Sequence, residues 1–134
     1  MDWTTLLLPV ITQPHPELSP EQVIRIQLDA LQNNDLLPDN GGIRLAFNFA
    51  SPANREFTGP IDHFITIVNS VMYRDLIGFE RAEVGFPILV GDVAQMRVRI
   101  IHKTRRAVYI FILSRQPEEP YRKCWMIDSV IRES

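Results

Sequence analysis

Near Gly78 the spacing of apolar side chains changes from three-and-four to two, and that change limits what this chain can fold into. Before it, Val23, Ile24, Leu28 and Leu31 recur at the spacing of one helical face, as do Ile61, Phe64, Ile65 and Val68. After it, Ala94, Met96, Val98 and Ile100 alternate with Gln95, Arg97 and Arg99, the period of a strand with one dry face. Helices in the first half and strands in the second specify an α+β domain, with N-terminal helices packed on an antiparallel sheet.

The boundaries follow from local signals. Ser19-Pro20-Glu21-Gln22 combines a capping serine, a proline suited to the first helical position and a capping-box glutamine. A second helix is expected from about Ile43 to Ala50 and is broken by Ser51-Pro52-Ala53-Asn54, because the residue before a proline avoids the helical region. Gly59-Pro60 opens a third helix to about Asn69, and Tyr73 to Ile77 forms one more turn. A strand from Glu80 to Val90 would put Ala82, Val84, Phe86, Ile88 and Val90 on one side, with Pro87 marking an edge or bulge. Strands over 93–103, 107–115 and 123–131, joined by short turns, complete an antiparallel meander. Residues 1–18, with Pro9, Pro14 and Pro16, form a tail; Leu6, Leu7, Leu8, Val10 and Ile11 are too apolar for a solvated arm, so it should pack on the single domain of residues 19–134.

The strand over 107–115 is apolar on both faces, with Val108, Ile110 and Ile112 on one and Tyr109, Phe111 and Leu113 on the other. Helices can cover only one of these. The other, taken here as the face of Tyr109, Phe111 and Leu113, is expected to meet a second subunit, or failing that the N-terminal tail.

A chain of 134 residues needs no disulfide to hold its core, and its one cysteine, Cys124, allows no intrachain disulfide, which fits a reducing compartment. The N-terminus lacks the charge and apolar length of a secretory signal, and no stretch approaches the ~20 apolar residues of a membrane span, so a cytoplasmic location is expected. The net charge is −2, yet residues 93–117 hold six basic residues and no acidic one. Arg97, Arg99, Lys103, Arg105 and Arg106 thus concentrate positive charge on one hairpin, a solvated surface by default and a candidate site for an acidic protein partner. Nucleic acid ranks last, because the pI is about 5.9 and no reader motif is present.

Several motifs together resemble a family of uncharacterised bacterial, cyanobacterial and plant proteins known only as a domain of unknown function. They are Phe47-Asn48-Phe49-Ala50-Ser51-Pro52-Ala53-Asn54-Arg55, Thr58-Gly59-Pro60 with Phe64, and Ala82-Glu83-Val84-Gly85. Leu113-Ser114-Arg115-Gln116-Pro117 and Cys124-Trp125-Met126-Ile127-Asp128-Ser129-Val130 complete the set, so the resemblance runs from Leu18 to Val130. That family is similar in turn to the nuclear-transport-factor-like, cystatin-like superfamily. The resemblance implies a curved sheet wrapped around the first helix as a cone able to hold a small molecule. Its members include isomerases, dehydratases and pure interaction modules, so fold alone selects no function.

Five residues are candidates for the cone's pocket: Asp128, His63, Tyr109, Trp125 and Arg55. Asp128, placed beside Cys124 and Met126, would need a partner if buried, and Arg97, Arg99 or Arg115 can supply one. His63 and Asp62 are helix neighbours, about 100° apart around the axis, so they form no ready dyad. Arg55 either grips an anion or ties a loop to the sheet, and the tie is the commoner role. Trp125 either lines a pocket or fills the core; Cys124 has no evident base to activate it. The histidines, His15, His63 and His102, have no metal-site spacing, and there is no phosphate-cradling glycine loop or serine-nucleophile elbow. No cofactor or metal is therefore expected. These features favour a non-catalytic binding or interaction module, homodimeric through the outer sheet face. The alternative, an isomerase or dehydratase using the cone, requires a cavity of a few hundred Å3 with converging polar side chains.

Overall fold

The computed structural model of the chain describes residues 12–133, in which four α-helices precede a five-stranded antiparallel sheet. Helix α1 (Pro20–Gln32) starts at the capping box. The Gln22 amide donates to Ser19 Oγ at 3.1 Å and the Ser19 amide donates to Gln22 Oε1 at 2.8 Å. Two amides that the first turn leaves unmatched are thereby satisfied.

Helix α2 (Gly41–Asn48) lies directly on α1. The contact depends on Gly42, where any Cβ would collide with the Ala30 carbonyl. Buried Asn34 orients the junction: its Oδ1 accepts from the Ile43 amide at 2.9 Å and its Nδ2 donates to Asn40 at 3.2 Å.

The expected break at Ser51-Pro52 is in fact the start of a helix, α3 (Pro52–Thr58). The extended backbone that a following proline imposes on Ser51 (ψ 159°) is also the conformation of a helix cap, and Ser51 Oγ accepts from the Asn54 amide at 3.2 Å. Helix α4 (Ile61–Val68) and a 3-10 turn at Arg74–Leu76 follow.

The strands are β1 (Arg81–Val84), β2 (Ile88–Val90), β3 (Val93–His102), β4 (Arg105–Arg115) and β5 (Trp125–Arg132). The sheet runs β1-β3-β4-β5, and β2 shares β3's outer edge with β1. The single strand expected from Glu80 to Val90 is therefore two. Between Val84↔Val98 and Ile88↔Gln95 the first chain advances four residues and β3 only three. One extra residue inverts the side-chain parity. Ala82 and Val84 stand over the core with Ile100 and Val98, whereas Ile88 and Val90 stand outside with Gln95 and Val93. Phe86 points into solvent at 95% exposure.

The core lies between the helices and the inner sheet face. Ile24, Leu28 and Leu31 of α1, Ile43 and Phe49 of the α2 region and Phe64 of α4 pack against Met96, Val98, Ile100, Phe111, Leu113 and Ile127. The assignment of β4's faces is corrected: Tyr109, Phe111 and Leu113 are the residues under the helices, each fully buried, and Val108, Ile110 and Ile112 are half-buried on the outside. The parity of β4 follows β3, in which Met96 lies opposite Phe111 and Val98 opposite Tyr109.

Past α2 the chain touches the free edge of β5. Ala50 forms a parallel bridge with Ile127, the Ser51 amide donates to the Ile127 carbonyl at 2.8 Å, and the Ile127 amide donates to the Phe49 carbonyl at 2.8 Å. Of the expected tail, residues 1–11 lie outside the described residues; Thr12 is tied by its carbonyl to Asn48 Nδ2 at 2.9 Å, and Leu18 packs on the core.

Candidate functional site

Between α1, α3, α4 and β5 the core is not filled. A cavity of about 360 Å3 opens there, walled by Leu31, Ala50, Phe64, Val68, Leu76, Phe111 and Ile127, with Phe57, Thr58 and Ile67 nearer the solvent. Its size falls in the range of small-molecule sites. Phe57 of α3, 79% exposed, is a large ring left beside the opening.

Polar groups enter this wall at a few points. Gln27 sits on the buried stripe of α1 between Ile24 and Leu31, only 5% exposed, and its Oε1 has no hydrogen-bond partner among the described residues. A buried amide oxygen in that state costs about 1–3 kcal/mol relative to a satisfied one. Asn54 and Thr58 are already engaged: Asn54 Nδ2 donates to the Ile127 carbonyl at 3.0 Å and Thr58 Oγ1 donates to the Asn54 carbonyl at 3.0 Å. The Tyr73 hydroxyl donates to the Val130 carbonyl at 2.9 Å.

Asp128 is the one formally charged residue in the wall. It occupies the irregularity of β5, where the register slips between Ile112↔Ser129 and Leu113↔Ile127, so Asp128 has no residue opposite it on β4. Its side chain is half-buried, and no hydrogen bond or ion pair reaches it among the described residues. The three arginines suggested as partners are elsewhere. Arg97 meets Glu133 at 3.2 Å, Arg99 meets Glu83 at 3.8 Å, and Arg115 stacks over Trp125 at 5.3 Å.

The other candidate pocket residues are not in this cavity. His63 is exposed on α4. Trp125 is buried at the far end of β5 beneath Arg115. Arg55 makes a tie: it donates to the Asn48 carbonyl at 2.8 Å and the Tyr121 hydroxyl at 3.2 Å, and its guanidinium lies 5.1 Å from the Phe47 ring. Tyr109 is buried, donates to the Met72 carbonyl at 2.8 Å, and belongs to a separate charged cluster.

That cluster centres on Asp75, 5% exposed in the 3-10 turn. Arg132 NH1 donates to its Oδ2 at 3.0 Å, and Arg105 NH2 approaches Oδ1 at 3.1 Å. The second contact is electrostatic only, because the angle does not suit a hydrogen bond and Oδ1 is otherwise unmatched. Arg105 also lies 2.9 Å from His102 Nδ1. A guanidinium only donates, so Nδ1 takes the acceptor role in this contact; the same Nδ1 lies 3.9 Å from Asp75 Oδ1. Burial, opposed by Arg132 and aided by neighbouring Asp75, pushes the Tyr109 phenol up to about 12. Burial, aided by Glu119, also pushes the Cys124 thiol up, which disfavours the thiolate a nucleophile would need.

The hairpin cations are thus largely answered from within the chain: Arg97 by Glu133, Arg99 by Glu83 and Arg105 by Asp75. Lys103 occupies the turn at φ 59° and Arg106 is exposed.

Fold and site together define an α+β helix-on-sheet domain with a predominantly apolar cavity beneath its helices. No family model matches the chain, and no curated protein or solved structure shows significant similarity to it. No described helix is long and apolar enough to cross a membrane.

Proposed function

We propose that this domain is a binding module that takes a small, largely apolar molecule into the cavity between α1, α3, α4 and β5. The observation that carries the proposal is the cavity itself, about 360 Å3, half-open between the helices and β5 and lined largely by apolar side chains of the core. Binding fits the wall better than catalysis does. Proton transfer in an isomerase or dehydratase needs a positioned acid and base. Here Asp128 has no second titratable group free beside it, and the Tyr73 hydroxyl is committed to a backbone carbonyl. The helix-then-meander order supports the nuclear-transport-factor-like cone as the parent architecture, within which a cytoplasmic binding protein is our reading.

We place a second copy of the chain on the outer sheet face. Val93, Ile131, Ile88 and Val90 are exposed there beside half-buried Ile110 and Ile112. Arg97 with Glu133, and Arg99 with Glu83, give the same face both signs of charge, as a self-complementary two-fold contact requires. An acidic protein partner is less favoured, because those arginines already have carboxylates beside them.

Screening a library of compounds of about a dozen heavy atoms by thermal shift tests the cavity; a ligand at 100 times its dissociation constant adds about 2.7 kcal/mol. Ala50→Phe, which projects a ring into the cavity, should abolish every such shift while leaving the chain folded. Shifts that survive Ala50→Phe would place the ligand elsewhere.

A further inference from the structure

Asp128 bears on the ligand's chemistry. We propose that the cavity selects a molecule with an apolar body and a protonated amine, the amine held by Asp128; this rests on the cavity being a binding site at all.

Two observations converge. Among the described residues the wall contains no lysine, arginine or histidine, so an anionic ligand would meet Asp128 and no compensating charge. Inside a protein, where the effective dielectric is far below that of water, a like charge a few ångströms away disfavours binding strongly. Asp128 also differs from Asp75, the other carboxylate among the described residues that is not exposed, which has two arginines within 3.1 Å. Asp128 lies in the wall at the register slip of β5, and no cation pairs with it among the described residues. A carboxylate calls for N–H groups, which an ammonium provides in three directions.

The remaining wall suits the rest of such a molecule. Phe57, Phe64 and Tyr73 present aromatic rings, which favour an alkyl or aryl body and attract a nearby cation through their faces. At about 30 Å3 for each small group, the space accommodates on the order of a dozen non-hydrogen atoms. The class is a small aryl- or alkyl-amine, charged at one end only.

Titration calorimetry with three near-isosteric probes tests this on the full chain: 2-phenylethylamine, 2-phenylethanol and phenylacetate. The amine is expected to bind at least tenfold more tightly than the alcohol, and phenylacetate not to bind. In Asp128→Asn the amine's advantage over the alcohol should fall below twofold while the alcohol's own affinity is unchanged. Because no hydrogen bond or ion pair reaches Asp128 among the described residues, the variant should fold, and Asp128→Ser serves as a second variant with the same expected loss. Equal affinity of amine and alcohol for the natural chain would overturn the charge selection and leave the cavity reading intact. So would an amine preference that persists in both variants. Failure of all three probes at millimolar concentration, with no thermal shift from the wider library, would overturn the cavity reading and this inference with it.

Discussion

Two aspartates close to β5 are treated in opposite ways. Asp75 is 5% exposed and surrounded by Arg132, Arg105, His102 and the Tyr109 hydroxyl, which together fasten the 3-10 turn to β3, β4 and β5. Asp128 is half-buried in the cavity wall and pairs with no cation among the described residues. The chain has arginines enough for both, so the difference is one of placement. β5 itself carries Arg132 to Asp75 and, four residues earlier, slips its register so that Asp128 faces open space. One carboxylate is committed to holding the fold, and the other remains available to something that is not part of the chain.

The contrast is broken most directly at Asp75. Asp75→Ala should cost roughly 3 kcal/mol in urea unfolding, because it removes the buried carboxylate that Arg132 and Arg105 both approach. A cost below about 1 kcal/mol would place Asp75 with ordinary surface ion pairs and dissolve the comparison. Next in size is an alkaline effect in the same cluster. The folded phenol of Tyr109 ionises near 12 where a free one ionises near 10. The fold therefore favours the protonated form, and the stability this provides is complete below pH 10 and lost as pH rises toward 12. Tyr109→Phe should flatten that loss in unfolding curves taken at pH 9, 10 and 11. At pH 7 the same change should cost about 1 kcal/mol through the hydrogen bond to Met72.

On the outer sheet face, Ile110→Glu should turn a dimer into a monomer by light scattering with little change in the melting of the monomer, since Ile110 is only half-buried. The smallest effect belongs to Asp128. Asp128→Asn should shift unfolding by less than about 0.5 kcal/mol, since it breaks no hydrogen bond or ion pair among the described residues. A destabilisation as large as that of Asp75→Ala would show that Asp128 has a structural partner and that the two carboxylates are alike.

The chain's architecture was legible where one interaction decides the outcome locally. The capping box at Ser19 and Gln22, and the two-residue period of β3, each need only neighbours in sequence to take effect. Ser51-Pro52 was ambiguous for a physical reason: the extended residue before proline ends one helix and begins another equally well. The inversion at Gly85–Pro87 was hidden because parity depends on how many residues β3 advances opposite it, which the β1–β2 segment alone does not reveal. For the cavity, Asp128 was visible as a carboxylate on a strand, but its partners were misjudged, since arginine reach is set by the fold. The missed residue was Gln27. Its signal was present: a polar side chain standing between Ile24 and Leu31 in the apolar stripe of α1, where a packed core would take leucine.

The crossing of the chain at Ala50 and Ser51 has a consequence for how copies can go wrong together. The Ile127 carbonyl on β5's free edge is occupied by the Ser51 amide and Asn54 Nδ2, and the Val130 carbonyl by the Tyr73 hydroxyl. An unpaired edge is ordinarily a template on which another strand can grow into a fibre. Here the chain's own connecting segment occupies part of that template, and on the opposite flank β1 and β2 are short and kinked against each other at Gly85–Pro87, so neither edge offers a long regular strand for amyloid-like stacking.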